Sequence, residues 1–296
     1  MAARTIAVIG LGLMGSRMAR RLVDHGFEVR GFDPDPDRMA EFVGVGGSGA
    51  GSPAQAVAGT SLALLSLPNS DVSREVCLGP DGVSGETGLH VYDTTTGRPS
   101  DAAEIGTALV EQAIVYCDST VSGNAELAER GELVIMVGGP VAAFRLGIPL
   151  FEAIARSHHH VGEVGAGSRM KLLVNQALTI HRMALAETLV VAEMAGLDLS
   201  ATLAVLEDSL AYSKAMEVWG KRMVDGDHER PFSRLRQNGK DTRLIVEQAR
   251  ELGAPSNLVE VVAEALAQGE STGLGDLDNS AIVEVVRRRA GIGRLP

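Results

Sequence analysis

Short β-rich runs alternate with helical patterns along the first half of this chain, and this alternation limits its possible folds more than any other feature. Strands that are apolar along their whole length, with helices between them, are typical of a parallel sheet covered on both faces. The glycine-rich stretch Gly44–Gly51 is predicted as a flexible loop. The predicted strands are Ile6–Ile9, Glu28–Phe32, Leu62–Leu67, Leu89–Tyr92, Ile114–Tyr116 and Leu133–Val137, and the predicted helices include Met14–His25, Asp71–Cys77 and Ser100–Gln112.

The pattern changes after residue 165. Ser168–Ala195 is predicted as one long helix, apolar nearly all round, which must be buried against other helices or another subunit. We therefore expect a doubly wound α/β domain over residues 1–163 and an all-α domain over residues 164–296. Further helices are predicted at Ser200–Leu210, Ser213–Met223, Asp241–Leu252, Asn257–Gln268 and Asn279–Arg288.

A glycine motif follows the first predicted strand and opens the first predicted helix. Its glycines, Gly10, Gly12 and Gly15, permit a tight turn and let the backbone approach a pyrophosphate at the positive helix end. Asp33, at the end of the second strand, can accept hydrogen bonds from ribose hydroxyls and repels a 2′-phosphate. Arg38 could receive such a phosphate, but the nearer carboxylate is expected to prevail. The sequence predicts a Rossmann-like nucleotide site that prefers NAD over NADP.

Lys171 and Asn175 lie one turn apart on one face of the long predicted helix. A lysine on an apolar helix either reaches water or has a chemical task. Beside a nicotinamide it can exchange a hydroxyl proton while hydride leaves carbon. Ser122 and Gly123, in the turn after a strand, offer a hydroxyl and backbone N–H groups for a carboxylate, although a Ser-Gly turn is also an ordinary structural feature.

These motifs, taken in order, resemble those of the β-hydroxyacid dehydrogenases, the family of 3-hydroxyisobutyrate dehydrogenase and tartronate semialdehyde reductase. The resemblance covers nearly the whole chain. Its other motifs are Leu67-Pro68-Asn69, Asp118 to Gly123, Gly131 to Gly139, Gly165 to Asn175, and Phe232 with Lys240-Asp241.

The resemblance implies NAD-dependent interconversion of a small 3-hydroxy acid and its semialdehyde or oxo acid in a homodimer or homotetramer. Lys171 would be the general acid/base and Asn175 would hold the substrate. The implied substrate-binding residues are Ser122, Gly123, Asn124 and Phe232. The implied cofactor-binding residues are Gly10, Leu11, Gly12, Leu13, Met14, Gly15, Asp33, Leu67, Pro68, Thr96 and Lys240.

The chain departs from the family pattern near the expected substrate. Asn124 stands where the family usually has a second glycine, and Val174 stands where it often has another asparagine. Ser119-Thr120 replaces the usual Ala-Pro, and Thr94 to Gly97 differs from the usual Met-Ser-Ser/Thr-Ile. The identity of the hydroxy acid therefore stays open.

Charge and composition exclude several classes of partner. The formal net charge is −11, so a broad basic field for nucleic acid or anionic membrane is not expected. Polar residues interrupt the apolar segment Met170–Met194, which argues against a transmembrane helix. Two cysteines make no disulfide scaffold and, with no signal-peptide pattern, indicate a cytoplasmic protein. His158–His160 is extended, so successive rings point to opposite faces and no metal site is predicted.

Two alternatives remain open beside the dehydrogenase. One is an imine-reductase-like enzyme, which usually lacks the lysine and prefers NADP. The other is a non-catalytic NAD(P)-binding regulatory protein. Lys171 and Asp33 count against the first alternative, and Lys171 also counts against the second.

Overall fold

The computed structural model describes residues 4–83 and 85–293. The chain forms two compact units, the first ending at Lys171 and the second beginning at Leu172. Within the described residues, the first unit contains the strands β1 Thr5–Ile9, β2 Glu28–Phe32, β3 Ser48–Gly49, β4 Leu62–Leu65, β5 His90–Asp93, β6 Val115–Ser122, β7 Leu133–Gly138 and β8 Ala155–Gly162. Its helices are α1 Gly15–Asp24, α2 Pro36–Gly44, α3 Pro53–Val57, α4 Ser70–Leu78, α5 Pro99–Val110, α6 Ala125–Arg130 and α7 Val141–Ile154.

All the strands form one sheet in the order β3-β2-β1-β4-β5-β6-β7-β8. The central strands are buried because helices cover both faces, and β4 is buried along its whole length. Chain order reverses between β1 and β4, which creates a switch point where the crevice outside the carboxyl ends of parallel strands usually binds ligands. The predicted doubly wound α/β fold is confirmed. A ligand site is expected at this edge of the sheet.

The sheet is mostly parallel as predicted, with one exception: β7 runs antiparallel to β6. The segment between these strands contains only the short helix α6. A parallel return usually requires a crossover of a dozen or more residues, and this connection is too short for one. The helix α7 then carries the chain back so that β8 runs parallel to β7.

The predicted loop Gly44–Gly51 is partly ordered structure, because it contains β3 and the last residue of α2. Gly47 allows this path, since a Cβ there would lie 2.1 Å from the buried Phe42 ring. The helices α2 and α3 were not predicted from the sequence. Both begin with a capping side chain followed by proline, Asp35-Pro36 and Ser52-Pro53, which is a typical helix start.

The long predicted helix is confirmed as α8 Ala166–Met194, which begins in the first unit and continues into the second. The predicted boundary near residue 163 precedes this helix. No helix in residues 4–83 and 85–293 is both long enough and apolar enough to cross a membrane. The second unit continues with α9 Leu199–Asp208, a π-helical turn Met216–Gly220, α10 Lys221–Asp225, α11 Leu235–Glu251, α12 Asn257–Ser271, a 3₁₀ turn Asn279–Ala281 and α13 Ile282–Arg289.

Candidate active site

The glycine loop lies between β1 and α1, at the switch point of the sheet. Gly10 has φ +90°, and a Cβ at this position would lie 2.3 Å from the Ser66 carbonyl oxygen. A Cβ at Gly15 would lie 1.9 Å from the Gly10 carbonyl oxygen. Packing within the protein therefore requires both glycines, and no side chain caps the positive end of α1.

Gly12 differs from its two neighbouring glycines. Its φ lies outside the left-handed region, and a Cβ there would meet only the Arg38 Nη1 atom, 3.8 Å away. The protein itself does not require glycine at this position. The absence of a side chain leaves open space above the backbone, and a pyrophosphate at a helix N-terminus needs such space. The loop therefore fits a dinucleotide, with Leu13 and Met14 continuing it into α1.

Asp33 holds the glycine loop in place. Its carboxylate is buried, and its Oδ2 atom accepts a 2.8 Å hydrogen bond from the Leu11 N–H, while Oδ1 accepts one of 2.9 Å from the Asp35 N–H. Arg38 Nη1 lies 3.4 Å from both oxygens. A carboxylate has about four lone-pair sites. The two N–H groups occupy two of these sites and the long Arg38 contacts face the other two, so a ribose hydroxyl would have to compete with Arg38. No sequence pattern indicates the bond to Leu11.

The loops after β4 and β5 meet at the same edge. The Leu67 N–H donates to Thr95 Oγ1 over 3.1 Å, and Thr94 Oγ1 donates to the Leu65 carbonyl over 2.7 Å. The half-buried Leu67 is followed by the exposed Pro68, and Thr96 is also half-buried. The structure thus places the expected cofactor residues of β1, β2, β4 and β5 at neighbouring strand ends.

The start of α8 is fastened to β6. Asp118, buried on β6, accepts hydrogen bonds from the Gly165 N–H at 2.8 Å and the Ser168 N–H at 2.7 Å. Thr120 Oγ1 donates to the Gly167 carbonyl over 2.8 Å. A Cβ at Gly167 would lie 2.0 Å from the Asp118 carbonyl oxygen, so only glycine permits this approach.

Asp118 has an altered acidity as a result of this position. Burial raises the pKa of Asp118 to about 6, although the N–H groups of Ser168 and Gly165 act in the opposite direction. In the sequence, Asp118 is recognisable only as the first residue of a motif. Its partners lie 47 and 50 residues away, so no local pattern could have identified its role.

The turn after β6 contains the expected carboxylate-binding residues. Ser122 ends β6, and Gly123 has φ +147°. A Cβ at Gly123 would lie 2.6 Å from Leu133 Cδ2, so this position requires glycine. Asn124 Oδ1 accepts a 3.0 Å hydrogen bond from the Leu127 N–H and thereby caps α6. Its amide group is thus the part of the side chain that can donate to a ligand.

The second unit holds Asn175 against α11. Asn175 Nδ2 donates to Asp241 Oδ2 over 3.1 Å, and Lys240 Nζ lies 3.7 Å from Asp241 Oδ1. One helical turn further along α8, Thr179 Oγ1 accepts a 3.0 Å hydrogen bond from Asn238 Nδ2. The structure therefore brings Asn175 and Lys240 together through Asp241. Lys171 lies one turn before Asn175 on α8 and is half-buried.

Phe232 is held by a different group of residues in the second unit. Its N–H donates to Asp278 Oδ2 over 2.8 Å, and its ring centroid lies 4.3 Å from the Arg222 guanidinium carbon. Arg222 Nη1 lies 3.2 Å from the same buried carboxylate oxygen. Neither Arg222 nor Asp278 was predicted from the sequence, because their pairing spans two separate segments.

The histidines of β8 take part in packing. The rings of His158 and His160 lie 5.7 Å and 5.5 Å from the Phe144 ring. Across residues 4–83 and 85–293, no group of three or more His, Cys, Asp or Glu residues is arranged to hold a metal ion.

Two family profiles match the chain in succession. Residues 5–162 match the NAD binding domain of 6-phosphogluconate dehydrogenase, and residues 165–286 match the profile described as NAD-binding of NADP-dependent 3-hydroxyisobutyrate dehydrogenase. The 2-(hydroxymethyl)glutarate dehydrogenase of Eubacterium barkeri is 31% identical over 290 residues, which cover 97% of this chain and 96% of that protein.

Two further comparisons agree with these matches. The L-threonate dehydrogenase of Cupriavidus necator is 30% identical over 286 residues, covering 95% of this chain and 96% of that one. The solved structure of the Mycobacterium tuberculosis 3-hydroxyisobutyrate dehydrogenase with L-serine has a TM-score of 0.88 at 28% identity, and the match covers 96% of this chain and 99% of that chain.

Proposed function

Because this chain belongs to the β-hydroxyacid dehydrogenase family, we propose that it is an NAD-dependent oxidoreductase that interconverts a small 3-hydroxy acid and its semialdehyde or oxo acid. The junction of β6 and α8 carries the proposal. There Asp118 and Thr120 hold the helical turn that precedes Lys171 against the strand that ends at Ser122. The same few bonds would thereby position the proposed acid/base group and the proposed carboxylate-binding turn.

In this proposal Ser122 Oγ and the Gly123 N–H hold the substrate carboxylate, with Asn124 and Phe232 completing the substrate site. Neutral Lys171 takes the hydroxyl proton as the carbon–hydrogen bond breaks and the carbonyl forms, and it returns the proton in the reverse direction. Asn175, oriented by Asp241, holds the substrate beside the lysine. A bound nicotinamide would supply the hydride acceptor.

The cofactor would lie along the carboxyl edge of the sheet. Residues Gly10 to Gly15 would contact the pyrophosphate and Asp33 the adenosine ribose, which favours NAD over NADP. The remaining cofactor contacts in this proposal are Leu67, Pro68, Thr96 and Lys240. The open space above Gly12 supports this placement.

Replacement of the proposed acid/base tests the reaction. Lys171→Ala is expected to reduce turnover by at least about 10²-fold, because positioned proton transfer contributes about 10²–10⁴-fold, while NAD binding stays measurable by calorimetry. NAD reduction would be followed with 3-hydroxyisobutyrate, glycerate, serine, threonate and 4-hydroxybutyrate. The matched control is Lys221→Ala, an exposed lysine on α10 paired with Asp225, which should retain turnover.

Two outcomes would overturn this assignment. Substantial residual turnover in Lys171→Ala would remove the lysine from its role. Tight NAD binding by the wild type, with no turnover across the substrate panel, would favour the non-catalytic regulatory alternative.

The nucleotide site has its own test. Gly12→Ala should leave the free energy of unfolding nearly unchanged, because a Cβ has room there, and should weaken NAD binding about tenfold or more by obstructing the phosphate, a loss of about 1.4 kcal/mol. The control is Gly44→Ala at the end of α2, where a Cβ would have nothing within 4 Å. Equal NAD affinity in the two variants would show that the cofactor does not bind at this loop.

We also propose a homodimer or homotetramer. In the single chain, several large apolar side chains of the second unit are exposed, among them Val191 and Met194 on α8 and Val205 on α9. A second copy would cover this surface. Light scattering should give a dimer or tetramer for the wild type and a monomer for Val191→Glu/Val205→Glu; a monomeric wild type would overturn the proposal.

A further inference from the structure

The guanidinium of Arg38 lies next to the glycine loop, between two carboxylates. Its Nη1 atom lies 3.4 Å from both oxygens of Asp33, and its Nε atom lies 3.3 Å from Asp35 Oδ2. The nearest protein atom to a Cβ at Gly12 would be this same Nη1, at 3.8 Å. The cation therefore borders the open space in which the proposed function places the dinucleotide.

The three charged groups differ in their surroundings. The Asp33 side chain is only 3% exposed, whereas those of Arg38 and Asp35 are 49% and 41% exposed. Asp33 cannot move freely because it also accepts the N–H groups of Leu11 and Asp35. Exposed ion pairs are individually weak. Arg38 is thus held loosely at the edge of the open space above Gly12. Within the described residues, Asp35 is its one solvent-facing ion-pair partner.

The net charge of these three side chains determines whether a phosphate can bind beside them. Asp33, Asp35 and Arg38 together carry one net negative charge, which disfavours a phosphate dianion on the ribose. Loss of the Asp35 charge alone would make the set neutral and leave a guanidinium whose donors match phosphate oxygens. The chain therefore already contains a cation of the kind that NADP requires.

We propose that Arg38 is a latent 2′-phosphate ligand and that Asp35, together with Asp33, keeps it from binding NADP. This inference rests on the proposed dinucleotide site. The preference for NAD would then depend on the Asp35 carboxylate, which lies beyond the end of β2, as well as on Asp33. Asp35 also caps α2, since its Oδ1 atom accepts a 3.0 Å hydrogen bond from the Asp37 N–H.

The test is Asp35→Asn, which removes the charge and keeps an equally good helix cap. Isothermal titration calorimetry would measure the dissociation constants for NAD, NADP and adenosine 2′,5′-bisphosphate. We expect affinity for NADP and for the bisphosphate to rise about tenfold, as one added charge-assisted hydrogen bond allows. Affinity for NAD should stay within about twofold, because NAD has no 2′-phosphate.

Two further variants separate a specific contact from a general loss of negative charge. Asp35→Asn/Arg38→Gln should lose the whole gain, because the gain requires the guanidinium. Asp37→Asn removes the same charge from the first turn of α2, where the described residues include no ion pair between Asp37 and Arg38, and it should change NADP affinity less than twofold.

Each result has a defined meaning. No gain in Asp35→Asn, a gain that persists without Arg38, or an equal gain in Asp37→Asn would overturn the inference while leaving the proposed function intact. A wild type that binds neither dinucleotide would overturn the proposed function and this inference together.

Discussion

The two units of this protein stabilise their buried carboxylates in different ways. In the first unit, Asp118 accepts the backbone N–H groups of Gly165 and Ser168, and Asp93 accepts the Thr95 N–H and the Tyr116 hydroxyl. In the second unit, Glu284 meets the Arg287 guanidinium at 2.7 Å. There a second acid, Glu193, lies 2.8 Å from the same arginine, and Asp278 lies 3.2 Å from Arg222 in addition to two backbone N–H groups.

Secondary structure explains the difference. Strand ends and glycine turns leave backbone N–H groups without a ladder partner, so a nearby acid can accept them. Within helices nearly every N–H is already bonded to a carbonyl one turn earlier. An all-helical unit that buries acids must therefore supply many of their partners from side chains. The first unit consequently binds negative charge with its main chain, which is what a phosphate or carboxylate ligand requires.

The largest expected effect comes from breaking the ion pairs of the second unit. Arg287→Met should lower the free energy of unfolding by about 3–5 kcal/mol, because two acids lose a fully buried cation. Urea unfolding at pH 7 measures this change. The control is Arg74→Met, which breaks the exposed pair with Glu104 and should cost less than about 1 kcal/mol. Similar losses of unfolding free energy in the two variants would contradict the view that the second unit depends on its buried ion pairs.

The pH dependence of Asp118 should show the cost of burying an acid without a cation. Because its pKa rises from 3.8 to about 6 on folding, its contribution to stability should fall as pH rises. At 1.36 kcal/mol per pKa unit, the unfolding free energy of the wild type relative to Asp118→Asn should drop by about 2 kcal/mol between pH 4 and pH 6.5. A flat or rising difference would refute this reading of the site.

Glu284 should show the opposite slope. Burial raises its pKa, but hydrogen bonds from His228 and Arg287 outweigh that effect and leave the pKa below its ordinary value. The stabilisation from its charge is therefore present at neutral pH and is lost as pH falls. Urea unfolding of the wild type and Glu284→Gln from pH 7 to pH 4 should give a difference that shrinks with acid, and a difference that grows would break the comparison.

The smallest expected effect is the loss of a helix N-cap, which should cost the same in both units. Asn124 caps α6 in the first unit, and Asp198 caps α9 in the second by accepting the Ala201 N–H at 2.7 Å. Replacement of either cap by alanine should cost about 1 kcal/mol, and Asn124→Gly only a few tenths. Thermal unfolding measures both losses. Losses that differ severalfold between the two alanine variants would mean that the difference between the units extends to their helix starts.

The sequence predicted the family, the two-part architecture and the long helix because these depend on local periodicity and on short motifs. The glycine motif and Asp33 also stand where their chemistry predicted, at neighbouring strand ends. The antiparallel pairing of β7 was missed because the preceding strand was predicted to end at Tyr116, which left a connection long enough for a crossover; in the structure β6 extends to Ser122.

Long-range partners could not be predicted. The bonds from Asp118 to α8 and from Asn175 to Asp241 join segments whose approach depends on the folded chain. The second role of Asp33, holding the Leu11 N–H, is hidden for the same reason. The simultaneous contacts of Arg38 with Asp33 and Asp35 also depend on the folded chain. Helix spacing alone predicts only the contact with Asp35.

The cap formed by Asn124 also changes the entropy of ligand binding. A turn built of two successive glycines samples many backbone conformations, and a ligand that orders it must offset that lost freedom. Asn124 restricts the unfolded chain more than glycine would, and its bond to Leu127 fixes one end of the turn before any ligand arrives. A carboxylate held at Ser122 and Gly123 would therefore meet a preorganised surface and lose less of its binding free energy to ordering the protein.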